Sequence, residues 1–158
     1  MFRKIRRFKQ ALSEEECKEI LSKELRGILS VNGDDGYPYG FPINHYYNPD
    51  DGKIYFHSGK GGHKLDSIAN NDKVSFCVHD SGFKKEGDWA LNIKSVIVFG
   101  RAEIVEDWDI AAYNIRQLSY KFTTDEEYID DDFARNKNNT VCFAITPEHI
   151  TGKLVNEA

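Results

Sequence analysis

The residues with the clearest chemical potential lie in one short stretch, residues 53–66, which reads K-I-Y-F-H-S-G-K-G-G-H-K-L-D. Residues 54–56 form a β-rich run, and the polar and glycine residues that follow it are His57, Ser58, Gly59, Gly61, Gly62, His63 and Lys64. Apolar residues at helical spacing come next, so the pattern predicts a strand, a tight loop and the start of a helix. Such a loop directs N–H groups and the positive end of a helix dipole to one place, which favours an anion such as a phosphate.

Two nucleotide motifs do not explain this loop. A G-x-x-x-x-G-K phosphate loop and a G-x-G-x-x-G dinucleotide fingerprint, both counted from Gly59, require a glycine where the sequence has Lys64. What remains is a general anion loop with Ser58 as a neutral donor, Lys64 as a positive charge and His63 as a donor in either protonation state. A glycine-rich turn with solvated histidine and lysine would have the same sequence, so the loop alone leaves both interpretations open.

Metal and nucleophile chemistry have less support. His45, His57, His63 and His79 lie within residues 45–79, but no pair has i, i+4 spacing, and no H-x-H or C-x-x-C pattern accompanies them. His45 and His57, on neighbouring predicted strands, could approach each other, yet we expect hydrogen-bonded histidines and no metal site. The three cysteines are predicted to be reduced, buried thiols, and no G-x-S-x-G elbow supports a hydrolase; these cysteines are Cys17, Cys77 and Cys142.

Length and charge set the class of protein. The chain has 158 residues, which predicts a single domain over residues 1–158. Its net charge of −5 argues against general nucleic-acid binding. The first ten residues are basic and residues 125–132 are acidic, so the basic arm could bind nucleic acid, a membrane or an acidic partner surface, although a solvated segment is the simpler interpretation. No apolar segment follows the basic start and no run is long enough to span a bilayer, so we expect a cytoplasmic protein without a membrane partner.

The remaining pattern predicts the elements that position the loop. Ser13 and Glu16 form a capping-box pair that starts a helix at about Glu14, and Gly27 is expected to end it. Strands are predicted over residues 28–31, 39–47, 54–56, 73–79, 92–105 and 138–146, with a short final strand over 149–155 and a second helix over 107–122. Gly100 indicates a bulge or bend. About six strands with few helices favour a small β-barrel over a parallel α/β sheet.

Aromatic residues are frequent around the predicted hairpin strands. They are Tyr37, Tyr39, Phe41, Tyr46, Tyr47, Tyr55 and Phe56. Most aromatic residues on strands belong to a core, but such a group can also form a platform on which a planar ring stacks. The negative net charge favours a flat cofactor over single-stranded nucleic acid as that ring.

Several segments together resemble the flavin-binding split-barrel superfamily that includes pyridoxamine phosphate oxidase, and within it the branch related to the nitroimidazole-resistance (Nim) proteins. They are R-R-F-K-Q at 6–10, D-G-Y-P-Y-G-F-P-I-N at 35–44, I-Y-F-H-S-G-K-G-G-H-K-L-D at 54–66, K-S-V-I-V-F-G-R-A at 94–102 and I-T-G-K at 150–153. They occur in the family's order and span nearly the whole chain. The resemblance implies a mainly β fold with flanking helices, built as a six-stranded antiparallel split β-barrel. It also implies a homodimer with FMN in two equivalent clefts at the subunit interface.

The resemblance also implies cofactor-binding residues. Ser58 and Lys64 are similar to the hydroxyl donor and the cation of the family's phosphate site, and His63 stands where relatives often carry arginine, which gives a weaker, pH-sensitive contact. His57 is similar to the histidine that the Nim branch places beside the flavin, and it is the one candidate proton donor. The other implied positions are Pro42, Ile43 and Asn44 along the ring edge, Ser95 near the cofactor and Lys153 at the cleft.

The resemblance does not extend to vitamin B6 oxidation, because the chain ends soon after I-T-G-K-L-V, without the arginine-rich substrate segment of true pyridoxamine phosphate oxidases. Two other functions follow from it. The first function is an FMN-dependent oxidoreductase that passes electrons from a reduced nicotinamide or another small donor to a small acceptor such as a nitroaromatic or quinone. The second is a non-catalytic split barrel that stores, senses or carries FMN or haem.

Overall fold

The computed structural model describes residues 1–157, which form a curled antiparallel sheet with helices packed on it. The strands are β1 Arg26–Asn32, β2 Pro38–Asn44, β3 Tyr46–Tyr47, β4 Ile54–Gly59, β5 Lys73–His79, β6 Asn92–Ile104 and β7 Thr140–Asn156. The helices are α1 Glu14–Lys23, α2 His63–Asn70, α3 Trp108–Tyr120 and α4 Glu126–Asn136. The expected fold class, mainly β with flanking helices in a split barrel, is confirmed.

The strand count differs from the prediction by one. Within residues 1–157 the sheet has seven strands, in the order β2-β1-β5-β6-β7-β4-β3, instead of the six expected. The additional strand arises at His45, which divides the predicted strand 39–47 into β2, paired with β1, and β3, paired with β4. The predicted strands 138–146 and 149–155 are one continuous strand, β7, which pairs along β6 with a register shift at Phe99/Gly100, where the bulge was predicted.

Alternating side chains divide the sheet into two packed faces. Val74, Phe76 and Val78 of β5 point into the barrel core, as their spacing predicts. Phe56 of β4 lies at the centre of this core, with its ring centroid 5.1 Å from that of Phe76 and 5.0 Å from that of Phe143. Most of the aromatic residues singled out in the sequence are therefore core residues; Phe41, Tyr47, Tyr55 and Phe56 are buried.

Helix α3 covers the opposite face of β4 and β7. Ala111 and Ile115 of α3 pack against Tyr55, Cys142 and Ala144 in a second apolar cluster. Tyr55 therefore points toward α3 while its neighbour Phe56 points into the barrel. The next residue on the side of Tyr55 is His57, so the alternation of β4 directs His57 toward the helical side of the sheet.

The first helix begins as predicted but ends earlier. Ser13 and Glu16 form both bonds of the capping box, with Ser13 Oγ accepting from the Glu16 amide at 3.1 Å. The helix ends at Lys23, so the expectation that Gly27 ends it is wrong. Gly27 lies inside β1, where a Cβ atom would come within 2.5 Å of the Cys77 carbonyl oxygen. The glycine is therefore needed for close contact between β1 and β5.

Helix α4 was not predicted, because its sequence was interpreted as an acidic run. Asp125 caps it by accepting from the Tyr128 amide, and Glu126 and Glu127 lie in its first turn, where the helix dipole favours negative charge. Ile129 is buried, and the Arg116 guanidinium of α3 forms ion pairs with the Glu126 and Asp130 carboxylates of α4. Of the helices within residues 1–157, none has both the length and the apolar character that crossing a membrane requires.

Lys121, directly after α3, links the end of α1 to the break between β2 and β3 through hydrogen bonds. The Lys121 ammonium donates to the Glu24 carbonyl at 2.6 Å and to the His45 carbonyl at 2.7 Å, and burial lowers its pKa to about 8. The His45 imidazole donates through Nε2 to the Leu21 carbonyl at 2.8 Å, while its Nδ1 has no partner. Burial and the nearby Lys121 charge lower the pKa of His45 to about 3, so this ring is neutral in the folded protein.

The burial of neutral His45 predicts that the free energy of unfolding falls in acid. Because the unfolded histidine titrates near pH 6.5 and the folded one near 3, the free energy of unfolding should fall as pH drops below 6.5, by about 2 kcal/mol between pH 7 and pH 5. His45→Gln keeps a donor for Leu21 and removes the titration, so urea unfolding of this variant should lose about 2 kcal/mol less over that interval than the wild type. Exposed His79→Gln is the control for replacing a histidine outside the core. An unchanged pH dependence in His45→Gln would contradict this assignment.

Candidate functional site

The glycine loop after β4 has an open, uncapped helix start. The predicted order of strand, loop and helix is confirmed, with β4 ending at Gly59 and α2 beginning at His63. Gly61 and Gly62 have φ angles of +80° and +100°, and no side chain caps α2. No heavy atom would lie within 4 Å of a Cβ built on Gly59, Gly61 or Gly62. The first amides of α2 therefore border open space, the arrangement that accepts an anion.

The three polar side chains of the loop have different environments. The Ser58 hydroxyl donates to the neighbouring Gly59 carbonyl at 2.7 Å. Lys64 is half-buried, with its ammonium 5.2 Å from the centroid of the Phe41 ring. His63 stacks on Tyr39 with ring centroids 4.2 Å apart. Ser58 and Lys64 thus remain available to an anion, whereas His63 is held toward the β1–β2 turn.

His57 stands where the loop meets the helical side of the sheet. It lines a cavity of about 180 Å³ between the sheet, α3 and α4, together with Asn44. Partial burial lowers the pKa of His57, the Asp132 carboxylate partly opposes this effect, and Lys64 adds to it. The imidazole is therefore neutral near pH 7, so it can donate one hydrogen bond and accept another.

The walls of this cavity come mainly from helices that the sequence analysis did not connect with the site. Its apolar lining is Trp108, Ile115, Leu118, Phe122, Tyr128, Ile129 and Phe133, and its polar lining includes Ser119, Asp132, Asn136 and Lys137. The only local signal for the α4 part was the i, i+4 pair of Ile129 and Phe133 after the Asp125 cap, which the many acids obscured.

Ser95 and Lys153 lie together in a different groove. They are register partners on β6 and β7, and they line a groove of about 380 Å³ with Arg6 and Arg7. This groove and the cavity beside His57 have no lining residue in common. One chain therefore brings Asn44 to His57 and Ser95 to Lys153, but it does not bring the two pairs together.

The three predicted cofactor-binding residues on β2, which are Pro42, Ile43 and Asn44, differ in the surface that each side chain faces. Pro42 is exposed on the outer face of the sheet, opposite Ile28 of β1. Ile43 packs its side chain against the barrel core, so only its backbone is available to a ligand. Of the three, only Asn44 lines the cavity beside His57.

The histidines and cysteines form no metal centre in the described part of the chain. Within residues 1–157, no group of three or more His, Cys, Asp or Glu side chains is arranged to hold a metal ion. His45 is bonded in the core and does not line the cavity beside His57. Cys17 and Cys142 are buried and Cys77 is half-buried, all as free thiols, and burial raises the pKa of Cys142 to about 12.

Comparisons with known proteins agree with this architecture. The sequence profile of the family described as pyridoxamine 5'-phosphate oxidase matches residues 13–154. A search of curated proteins gave no significant match. Among solved structures, a candidate 5-nitroimidazole antibiotic resistance protein from Bacteroides thetaiotaomicron is similar with a TM-score of 0.76 at 18% identity, over 92% of this chain and 87% of that one.

Two further similar structures are those of flavin-binding proteins. A FAD-binding protein from Mesorhizobium loti is similar with a TM-score of 0.67 at 24% identity, over 92% of this chain and 97% of that one. A FAD- and haem-binding protein from Mycobacterium smegmatis is similar with a TM-score of 0.70 at 20% identity, over 95% and 74%. At these identities the structural likeness shows a common fold.

The backbone of the loop gives a testable prediction. Gly62 has φ +100° and ψ 173°, a region that is essentially restricted to glycine, so Gly62→Ala should lower the free energy of unfolding by about 1–3 kcal/mol. Gly59→Ala adds the same methyl group to open space without a positive φ and should cost little. Urea unfolding of both variants measures the difference. Equal costs at the two positions would contradict the loop conformation.

Proposed function

The chain belongs to the pyridoxamine 5'-phosphate oxidase family, and we propose that it binds FMN and acts as a flavin-dependent oxidoreductase. The observation that carries the proposal is the uncapped start of α2, with Ser58 and Lys64 beside it and His57 on the preceding strand. Flavin binding by structural neighbours supports the cofactor class. FMN as the particular flavin, and a cytoplasmic location, stay predictions.

The residues around the loop fit a phosphate group. The amides at the start of α2, the Ser58 hydroxyl and the Lys64 ammonium are all donors, and the space above the three glycines is open. No carboxylate forms an ion pair with Lys64 in residues 1–157, so its charge is not already neutralised by a partner. Ser58 would exchange its short-range bond to the Gly59 carbonyl for the phosphate oxygen.

His57 and Asn44 would then position the reacting end of the cofactor. When bound, FMN supplies the transfer of electrons from a small donor, such as a reduced nicotinamide, to a small acceptor, such as a nitroaromatic or quinone. Neutral His57 can donate a hydrogen bond or deliver a proton at one ring nitrogen while the other accepts. Asn44 adds an amide to the same side of the cavity.

A homodimer would complete the site. A row of paired residues crosses the outer face of the sheet: Pro42, Ile28, Cys77, Ile97 and Thr151. Ile28 is 45% exposed, whereas Ile97 and Thr151, at the other end of the row, line a groove with residues 5–7 and Gln10. A second copy of the chain would cover this apolar row and could bring the Ser95 and Lys153 groove of one subunit to the His57 side of the other.

A non-catalytic split barrel that carries flavin or haem is the second candidate. It is favoured by His57, because this residue presents an uncharged imidazole to a cavity and histidine is a common haem ligand. FMN ranks before haem because the uncapped start of α2, Ser58 and Lys64 provide donors for its phosphate group.

The phosphate site can be tested with two lysines of the same loop region. Lys64→Ala removes a charge-assisted contact and should weaken FMN binding by about 10- to 100-fold, whereas Lys60→Ala, at an exposed position, should bind like the wild type. Flavin absorbance during titration measures both affinities, and bleaching by a reduced nicotinamide reports turnover. Equal affinities would contradict the phosphate site. A colourless protein that takes up no FMN, with a Soret band on haem addition, would favour the second candidate.

The subunit interface can be tested with two equally exposed isoleucines. Ile28 on the outer sheet face is 45% exposed and Ile110 on α3 is 48% exposed, so a lysine at either position should leave the fold intact. Ile28→Lys should convert the dimer to a monomer because it places a charge in the apolar row, while Ile110→Lys should remain dimeric. Sedimentation velocity measures the mass. A monomeric wild type, or a dimeric Ile28→Lys variant, would contradict the proposed interface.

A further inference from the structure

The cavity under α3 and α4 has a chemical character that the proposed function does not specify. We propose that it binds a single aromatic ring carrying a positively charged substituent, and that Asp132 selects the charge. The role of this ring as electron acceptor rests on the proposed flavin chemistry, because His57 borders both the cavity and the glycine loop. The binding preference itself depends only on the cavity.

The size of the cavity limits the ligand to about one ring. Its volume is about 180 Å³, close to the roughly 150 Å³ of an apolar cavity that accepts benzene. Trp108 and Phe133 form one wall, with ring centroids 6.2 Å apart and planes at 70°. Flat, apolar walls of this kind favour an aromatic ring over a branched aliphatic group.

The charges on these walls distinguish Asp132 from its neighbours. Lys137 also lines the cavity without an ion pair in residues 1–157, and its Nζ lies over the Trp108 ring, 5.0 Å from the centroid. Arg116 lies over the Phe133 ring at 5.1 Å and pairs with Glu126 and Asp130. Asp132 accepts from the Asn136 amide at 2.8 Å and forms no ion pair with any residue in 1–157. Its carboxylate is therefore a charged group of the cavity that lacks a cationic partner.

Of the six acids in residues 125–132, Asp132 lines the cavity, whereas Glu126 and Asp130 pair with Arg116. An anionic ring, such as a carboxylated or phosphorylated one, would meet repulsion from Asp132, whereas a ring with an ammonium or amidinium group would be attracted. From its exposed position at the cavity edge, the Asp132 carboxylate opposes the lowering of the His57 pKa more strongly than Lys64 adds to it, so the His57 end of the cavity favours a cation.

The chain contains its own reporter for this binding. It has two tryptophans, Trp108 in the cavity wall and Trp89, which is 73% exposed. In a Trp89→Phe background, the fluorescence of Trp108 can be titrated with three probes of similar size: benzylamine, benzyl alcohol and benzoate. We expect benzylamine to bind about tenfold more tightly than benzyl alcohol and benzoate to bind most weakly, since one partly solvated charge pair gives roughly this difference.

Matched variants identify the residue responsible. Asp132→Asn should bind benzylamine and benzyl alcohol equally, Asp132→Glu should retain the preference, and Asp131→Asn, an exposed acid of α4 outside the cavity lining, should behave as the wild type. No response of Trp108 to any probe, a preference for benzoate, or an unchanged preference in Asp132→Asn would overturn the inference.

Flavin uptake is measured separately by absorbance in the same samples. Uptake of FMN without ring binding contradicts this inference and leaves the proposed function standing. Ring binding without FMN uptake supports the cavity assignment and contradicts the proposed function.

Discussion

The joint at His45 is the constraint on which the rest of the structure depends. Strands β2 and β3 lie at the two opposite edges of the seven-stranded sheet, yet a single residue connects them. The sheet must therefore curl until its edges meet, which produces the barrel. The buried bonds of His45 to Leu21 and of Lys121 to Glu24 and His45 hold this joint against α1 and α3. A neutral imidazole at this point removes the cost of a second buried charge beside Lys121.

Closure of the sheet also builds the surroundings of His57. Asn44 is the last residue of β2 before the joint, and it reaches the cavity that His57 lines from β4. The alternation of β4 sends Phe56 into the barrel and directs Tyr55 and His57 toward α3. The same strand then ends in the glycine loop, so one strand connects the barrel core, the aromatic cavity and the open start of α2.

The sequence predicted the elements whose signals are local. The capping box of Ser13 and Glu16, the alternation of β5 and the strand, loop and helix start around Lys64 were all confirmed. The break at His45 was not predicted, because closing a barrel depends on which strands pair, and residues 39–47 have a continuous strand pattern. Helix α4 was missed because it has one buried apolar residue, Ile129, and is stabilised by contacts between Arg116 and its acids. The separation of Ser95 from His57 likewise depends on the tertiary fold, which local spacing does not encode.

The site combines a cationic and an anionic end with the neutral His57 between them. Lys64 and the start of α2 supply positive potential, and Asp132 with α4 supplies negative potential. The central claim is that the positive end holds the phosphate of FMN. Calorimetric titration of the protein with FMN and with riboflavin, which has the same ring system without the phosphate, tests it most directly. Two or more charge-assisted contacts predict that FMN binds at least about 100-fold more tightly. Equal affinities for FMN and riboflavin would contradict the account.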